Sequence, residues 1–311
     1  MKIALLGANG QLGQTFLKDG TLASLGKLIP VTRDGHVFDG SQGEAGDLST
    51  PEDIAALLDR IKPDVIVNAA AYTAVDRAEQ EEGLAIRING TAVGAIGAWA
   101  AAHDALVMHY STDYVFNGQA KHPYAVNAPT APLSAYGRSK LAGERALVAS
   151  GAQHLTFRTA WVYAAHGRNF LRTMLRLGAD RDELRVVADQ YGAPTSTHMI
   201  VRGSTAALRA WIHAAPAARP ALAGTYHLVA SGTTTWHGFA TAIFDAAFER
   251  GMIARKPVVI AIGTADFPTP AARPAYSVLD NSLFEKRFAT TLQDWRHGLS
   301  EVMDELSTGA R

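Results

Sequence analysis

The chain has 311 residues, 48% of them hydrophobic, enough to bury one large or two modest cores. Its 29 Lys and Arg balance 29 Asp and Glu, with no basic block or cationic amphipathic helix, which argues against a nucleic-acid or membrane partner. Cysteine is absent, which excludes disulfides and thiolate metal sites, and no apolar run approaches the roughly 20 residues of a bilayer span.

The chain opens on an apolar run, Lys2–Leu6, which reads as a buried parallel strand rather than a secretory leader; a cytoplasmic location is expected. Gly7-Ala8-Asn9-Gly10-Gln11-Leu12-Gly13 follows, then a helical stretch over 14–18. Glycines at 7, 10 and 13 allow a tight turn, close backbone approach and close helix–strand packing. The helix N-terminus then offers free N–H groups and a positive dipole end to a diphosphate. Gly7, Gly10, Gln11, Leu12 and Gly13 are therefore candidate cofactor ligands.

A second strand is expected over Lys27–Thr32, ending in Thr32-Arg33-Asp34. At this tip an Arg suits the 2′-phosphate of NADP and an acid suits the ribose of NAD. Arg33 leans the choice to NADPH, and Asp34 keeps NADH open. Asp47-Leu48 precedes a helix start at Ser49-Thr50-Pro51-Glu52 and is placed to flank the adenine.

Strands are expected over 64–68, 105–110 and 154–158, with helices over 82–103 and 134–149, and the Ala-rich stretch Ala92–Ala102 reads as a packed helix. Small residues at Ala69-Ala70-Ala71, ahead of Tyr72-Thr73, let a ligand lie at a strand's carboxyl end. The alternation predicts a doubly wound parallel Rossmann sheet with a smaller C-terminal substrate-binding lobe. Residues 1–158, with 197–213 added, form the expected NAD(P)-binding domain, and 159–311 are mainly lobe.

Tyr136 and Lys140 are four apart on the 134–149 helix and share a face. An ammonium there is expected to lower the phenol pKa toward the range useful for proton transfer. Ser111-Thr112-Asp113 ends the strand beside them, and a hydroxyl from Ser111 or Thr112 could polarise a substrate carbonyl. Beyond Thr159 the loops carry Gly, Pro and aromatics, a texture that suits a flat base or a sugar. Helices are expected at Thr197–His213, 236–250 and 291–307. Arg273 in the Pro-rich loop is a candidate diphosphate clamp. The eleven histidines show no paired metal spacing, and His109, in an apolar strand, reads as a core residue.

The glycine loop, Ser111-Thr112-Asp113-Tyr114-Val115-Phe116 and Tyr136-Gly137-Arg138-Ser139-Lys140 together resemble the extended short-chain dehydrogenase/reductases. Asn68-Ala69-Ala70-Ala71-Tyr72-Thr73, Arg158-Thr159-Ala160-Trp161-Val162-Tyr163 and Asp189-Gln190-Tyr191-Gly192-Ala193-Pro194-Thr195 extend the likeness to the dTDP-4-dehydrorhamnose reductases within them. The resemblance implies NAD(P)H-dependent reduction of dTDP-4-dehydro-L-rhamnose at C4, a step toward surface polysaccharide. It implies Tyr136 as proton donor, Lys140 on the nicotinamide ribose and Thr112 on the carbonyl. Ala71, Tyr72, Thr73 and Tyr110 would line the nicotinamide; Thr112, Asp113 and Trp161 would touch the nucleotide-sugar. Some relatives bridge subunits with Mg²⁺ through Glu side chains after the glycine loop. Gln14-Thr15 stands there, so no metal is expected. A homodimer stays open.

Two other readings share these motifs. A 4-epimerase or 4,6-dehydratase of the same fold is one; dehydratases typically carry Asp-Glu after the Thr, whereas this chain has Asp113-Tyr114. A non-catalytic dinucleotide-binding regulatory subunit is the other, and the intact Thr112, Tyr136 and Lys140 argue against it.

Overall fold

In the computed structural model, which describes residues 1–309, seven strands build one parallel sheet. They are β1 (Lys2–Leu6), β2 (Lys27–Thr32), β3 (Glu44–Ala45), β4 (Val65–Asn68), β5 (Leu106–Thr112), β6 (His154–Thr159) and β7 (Gly224–His227), in the order β7-β6-β5-β4-β1-β2-β3. The order reverses between β1 and β4, and a ligand crevice opens at the carboxyl ends of strands at such a reversal. This is the expected doubly wound sheet. The strand β7, which pairs with β6, has no counterpart among the expected strands.

The strands read as unbroken apolar runs because both faces are covered. Ile3, Leu5, Val65, Val67, Met108 and Tyr110 pack into one core, while Ala4, Leu6, Ile66 and Val107 pack into the other. Helices α1 (Gln11–Asp19), α2 (Ile54–Ile61), α3 (Val75–Ala78), α4 (Glu82–Ile86), α5 (Ala92–Ala102) and α6 (Ala135–Ala149) alternate with the strands. The expected 82–103 helix is interrupted by a π-helical turn, Arg87–Thr91, that carries Asn89. Such turns are frequent at functional sites.

The rest of the chain supplies α7 (Phe170–Asp180), α8 (Thr197–His213), α9 (Trp236–Glu249), α10 (Ser282–Phe288) and α11 (Trp295–Ser307). Helix α8 lies against α1, with Thr15 donating to Thr197 at 2.8 Å. Phe239, Phe284 and Trp295 of the C-terminal segment join the same core as β1 and β5. The last helix starts at Trp295 rather than at 291: the Asp294 side chain caps it by accepting from the Arg296 N–H, while Leu292 N donates to Glu285. No helix among the described residues is long and apolar enough to cross a membrane.

Candidate active site

The glycine loop joins β1 to α1 and is cut to backbone dimensions. Gly7 sits at φ 78°, and a Cβ there would lie 2.7 Å from the Ala70 backbone. A Cβ on Gly13 would lie 2.2 Å from the Gly7 carbonyl. Gly10 is the residue before α1, with no side-chain cap, and its N–H is spent on Gly7 O at 2.9 Å. The following helix N-terminus is thus open to an anion, and the helix begins at Gln11, earlier than the sequence pattern indicates. The cradle fits a dinucleotide diphosphate.

The adjoining loops are tied to this cradle. Asn9 donates to the His36 carbonyl at 2.8 Å and accepts from Phe38 N at 2.9 Å, which fixes the loop after β2. Arg33 stands exposed at that strand tip, while Asp34 turns to accept from Thr32 and His36 N. Asp47 accepts from Ser49 N in its own turn, and the Leu48 side chain is buried against the second core. From the lobe, His166 donates to Gln11 O at 3.0 Å and Asn169 to Gln11 Oε1 at 2.8 Å. This clasp between the lobe and the phosphate loop leaves no local sequence signal, since its partners are 155 and 158 residues apart.

Strand alternation sorts the end of β5. Tyr110 faces α8, packs between Phe16 and Phe157, and donates to Ser204 at 2.8 Å. Its side chain is therefore turned into the core rather than toward the nicotinamide side. Ser111 faces α6 and donates to Glu144, so it is not the hydroxyl for a carbonyl. Thr112, at the strand's end, is left for that task. Its hydroxyl donates to Asp113 Oδ1 at 2.9 Å and accepts from Tyr114 N at 3.2 Å.

Helix α6 brings the phenol to this hydroxyl. Ser134 caps the helix by accepting from Gly137 N, and Glu79 accepts from Ala135 N at 2.8 Å. A Cβ on Gly137 would lie 2.3 Å from the Tyr114 carbonyl, so glycine lets the helix start press against the Thr112 turn. Tyr136 stacks edge-on against Tyr114 with centroids 5.8 Å apart, and the Thr112 hydroxyl lies beside its oxygen.

The electrostatics differ from the expectation of a lowered phenol. Burial, then the neighbouring Asp113 carboxylate, push Tyr136 up to about 12, against the opposing effect of the Thr112 hydroxyl. Lys140, 2% exposed, is itself pulled down to about 8 by burial, opposed by Glu144. Desolvation of the phenol decides the direction, and Lys140 is not among the groups that act on it. Asp113 is likewise raised by burial, to about 6, and its Oδ2 is buried without a partner.

Asn89 is the site residue that pattern reading passed over. It accepts from Tyr72 N at 2.9 Å and donates to Tyr72 O at 3.0 Å and Ser139 Oγ at 2.9 Å. It thereby ties the Ala71-Tyr72-Thr73 segment to the helix between Tyr136 and Lys140. A lone Asn, 1% exposed, on an apolar helix was its signal. The Tyr72 hydroxyl donates to Glu81 at 2.6 Å. His109 is fully buried; Asn68 donates to its Nδ1 at 3.2 Å and its Nε2 has no partner.

Aromatics gather in the C-terminal half of the chain. Trp161 holds φ 49°, an outlier for a bulky residue, and stacks on Trp236 at 3.6 Å. Gly192 makes room for it: a Cβ there would lie 2.5 Å from the indole. Arg273 pairs with Asp76 at 2.9 Å, so the candidate clamp also ties the lobe to α3. Its charge reaches Tyr114. No cluster of three or more metal-binding side chains occurs among the described residues.

A phosphate cradle at the switch point, with a Thr–Tyr–Lys set across the crevice, defines a Rossmann-fold dinucleotide enzyme of the short-chain dehydrogenase/reductase kind. Residues 1–308 match the RmlD substrate binding domain model, and the chain belongs to that family. It is 46% identical over 308 residues to the dTDP-4-dehydrorhamnose reductase of Shigella flexneri, covering 99% of each chain. To the Burkholderia thailandensis dTDP-4-dehydrorhamnose reductase it is 44% identical over 310 residues, 98% of this chain and 99% of the relative. The crystal structure of the Bacillus anthracis dTDP-4-dehydrorhamnose reductase in complex with NADP superposes with a TM-score of 0.84 at 31% identity, over 98% of this chain and 99% of that one.

Proposed function

We propose that the chain reduces the C4 carbonyl of dTDP-4-dehydro-β-L-rhamnose to dTDP-β-L-rhamnose with NADPH. What supports this reading is the nearness of the Thr112 hydroxyl to Tyr136 at the carboxyl end of β5, with Lys140 one turn further along α6. The full-length likeness to reductases of this name supports the substrate, and the relative bound to NADP supports the cofactor.

A bound nicotinamide supplies a hydride to C4. The chain's own groups handle the oxygen. Tyr136, held protonated by burial, donates its proton to the oxygen as negative charge develops there. The Thr112 hydroxyl adds a second donor once it turns from Asp113. Lys140 meets the ribose and stabilises the phenolate left on Tyr136. Gly10, Gln11 and Leu12 hold the diphosphate through the helix N-terminus, Arg33 meets the 2′-phosphate, and Asp47 with Leu48 flanks the adenine. Asp113, Trp161 and Arg273 receive the nucleotide-sugar. We place the dinucleotide in residues 1–158 with 197–213, and the sugar mainly in the remainder; two copies forming a homodimer belong to the same proposal.

The test is a product analysis with the 4-keto nucleotide-sugar, supplying NADPH and NADH separately. Stoichiometric oxidation of NADPH with formation of the 4-hydroxy sugar is expected. Conversion without net oxidation would instead mark an epimerase.

A further inference from the structure

The Tyr136–Lys140 face of α6 continues one more turn, to Glu144, which the proposed chemistry does not use. Glu144 is 6% exposed and is the most heavily bonded carboxylate near the site. Arg158 grips it with two bonds, Nε to Oε1 at 2.9 Å and Nη2 to Oε2 at 2.7 Å, and Ser111 donates to Oε1 as well. Arg158 lies opposite Ser111 in the β5–β6 register, so one sheet face presents both donors to the helix. The third guanidinium nitrogen donates to the Val126 carbonyl at 2.9 Å, and the group lies over Phe116 at 5.1 Å. Ser111 directly precedes Thr112.

We propose that Glu144 is a positioning residue for the reduction: clasped by Ser111 and Arg158, it supplies the negative charge facing the Lys140 ammonium and locks α6 to the strand end that carries Thr112. The role rests on the reductase reading for its catalytic consequence, but not for its effect on Lys140.

The surroundings of Lys140 single out this carboxylate. From β5 the facing group is His109, which burial holds well below its ordinary value and therefore neutral. β6 presents His154, lowered by burial, and Arg158 to Glu144 itself, Arg158 pairing with it at 2.7 Å. On α6 itself stand Tyr136, protonated at neutral pH, and Glu144. Glu144 is thus the carboxylate that opposes the desolvation of Lys140. Losing it lets the ammonium deprotonate at lower pH.

The experiment is Glu144→Gln, with the double variant Glu144→Gln/Arg158→Met made so that no unpaired guanidinium is left to unfold the protein. The first readout is an NMR titration of the Lys140 Cε in the ligand-free protein, assigned with Lys140→Arg. Its midpoint is expected to fall by about 1 unit in Glu144→Gln, the scale of losing a nearby opposite charge, and by less in the double variant, where the Arg158 cation is lost with it. The second is the alkaline limb of kcat/KM, which should move to lower pH with it, costing about 5-fold at pH 8. Rescue by Glu144→Asp, which keeps the charge, is expected in the titration. A Lys140 midpoint unmoved in both folded variants would falsify the proposal, as would a limb that stays in place while the midpoint moves. If the wild-type chain reduces no 4-keto sugar, the reductase reading falls, and the titration still decides whether Glu144 charges Lys140.

Discussion

The glycine loop and the Thr112–Tyr136–Lys140 centre sit on opposite sides of one crevice and are built by different means. The loop is made of backbone: Gly7 and Ala8 N–H donate to Val31 O, Gly10 N–H to Gly7 O, and its specification is the absence of side chains at Gly7, Gly10 and Gly13. The catalytic side is made of buried polar side chains held by long-range bonds, such as Asn89 to Ser139 and Arg158 to Glu144. The loop should therefore fail sterically, and the centre electrostatically.

Substitutions can separate the two. Tyr136→Phe removes the proton but keeps the ring against Tyr114; kcat is expected to fall by ~10²-fold or more with cofactor binding retained, as steady-state rates and a fluorescence titration would show. Near-normal turnover would remove Tyr136 from the chemistry. Gly13→Ala pushes a methyl into the Gly7 carbonyl, and the expected outcome is a loss of about 1–3 kcal/mol in stability with weakened binding of both dinucleotides. Denaturant melts with and without NADPH measure this. Arg33→Ala should weaken NADPH by about 10-fold and leave NADH nearly unchanged, the scale of one charge-assisted contact; equal losses would detach Arg33 from the 2′-phosphate.

The last expected effect, on stability, has the opposite sign. Lys140→Met should abolish activity yet stabilise the fold by ~1–3 kcal/mol at pH 7, because it removes a buried cation. In the wild type, burial lowers the group from 10.5 to about 8. The unfolded chain therefore binds the proton more strongly, and wild-type stability rises with pH between those values. The advantage of the variant should be full below about 8 and disappear as pH climbs toward 10.5. A constant gap across that window would mean that Lys140 is not desolvated in the fold.

Much of the frame was legible locally. The β1–glycine loop–α1 unit, the strand Lys27–Thr32 and the helix Thr197–His213 follow from apolar runs, glycine spacing and periodicity. The β5 strand runs two residues beyond the expected end, through Ser111 and Thr112, because parallel pairing with β6 continues to Thr159. The strand Gly224–His227 was not legible, since its polar edge residues Thr225 and His227 give no buried-strand pattern; β6 recruits it by backbone pairing. Which hydroxyl faces the phenol was also undecided, because neighbours on a strand point to opposite faces and the register comes from the sheet.

Local sequence specified the alternation of strands and helices up to Thr159 and the position of the phosphate cradle, because these rest largely on apolar runs, glycine spacing and helix periodicity. Packing settled that Ser111 donates to Glu144 while Thr112 donates to Asp113, that Tyr110 turns into the core, and that burial sets the phenol high and the ammonium low. Those outcomes depend on desolvation and on partners far apart in the chain, and neither quantity exists before the helices close over the sheet.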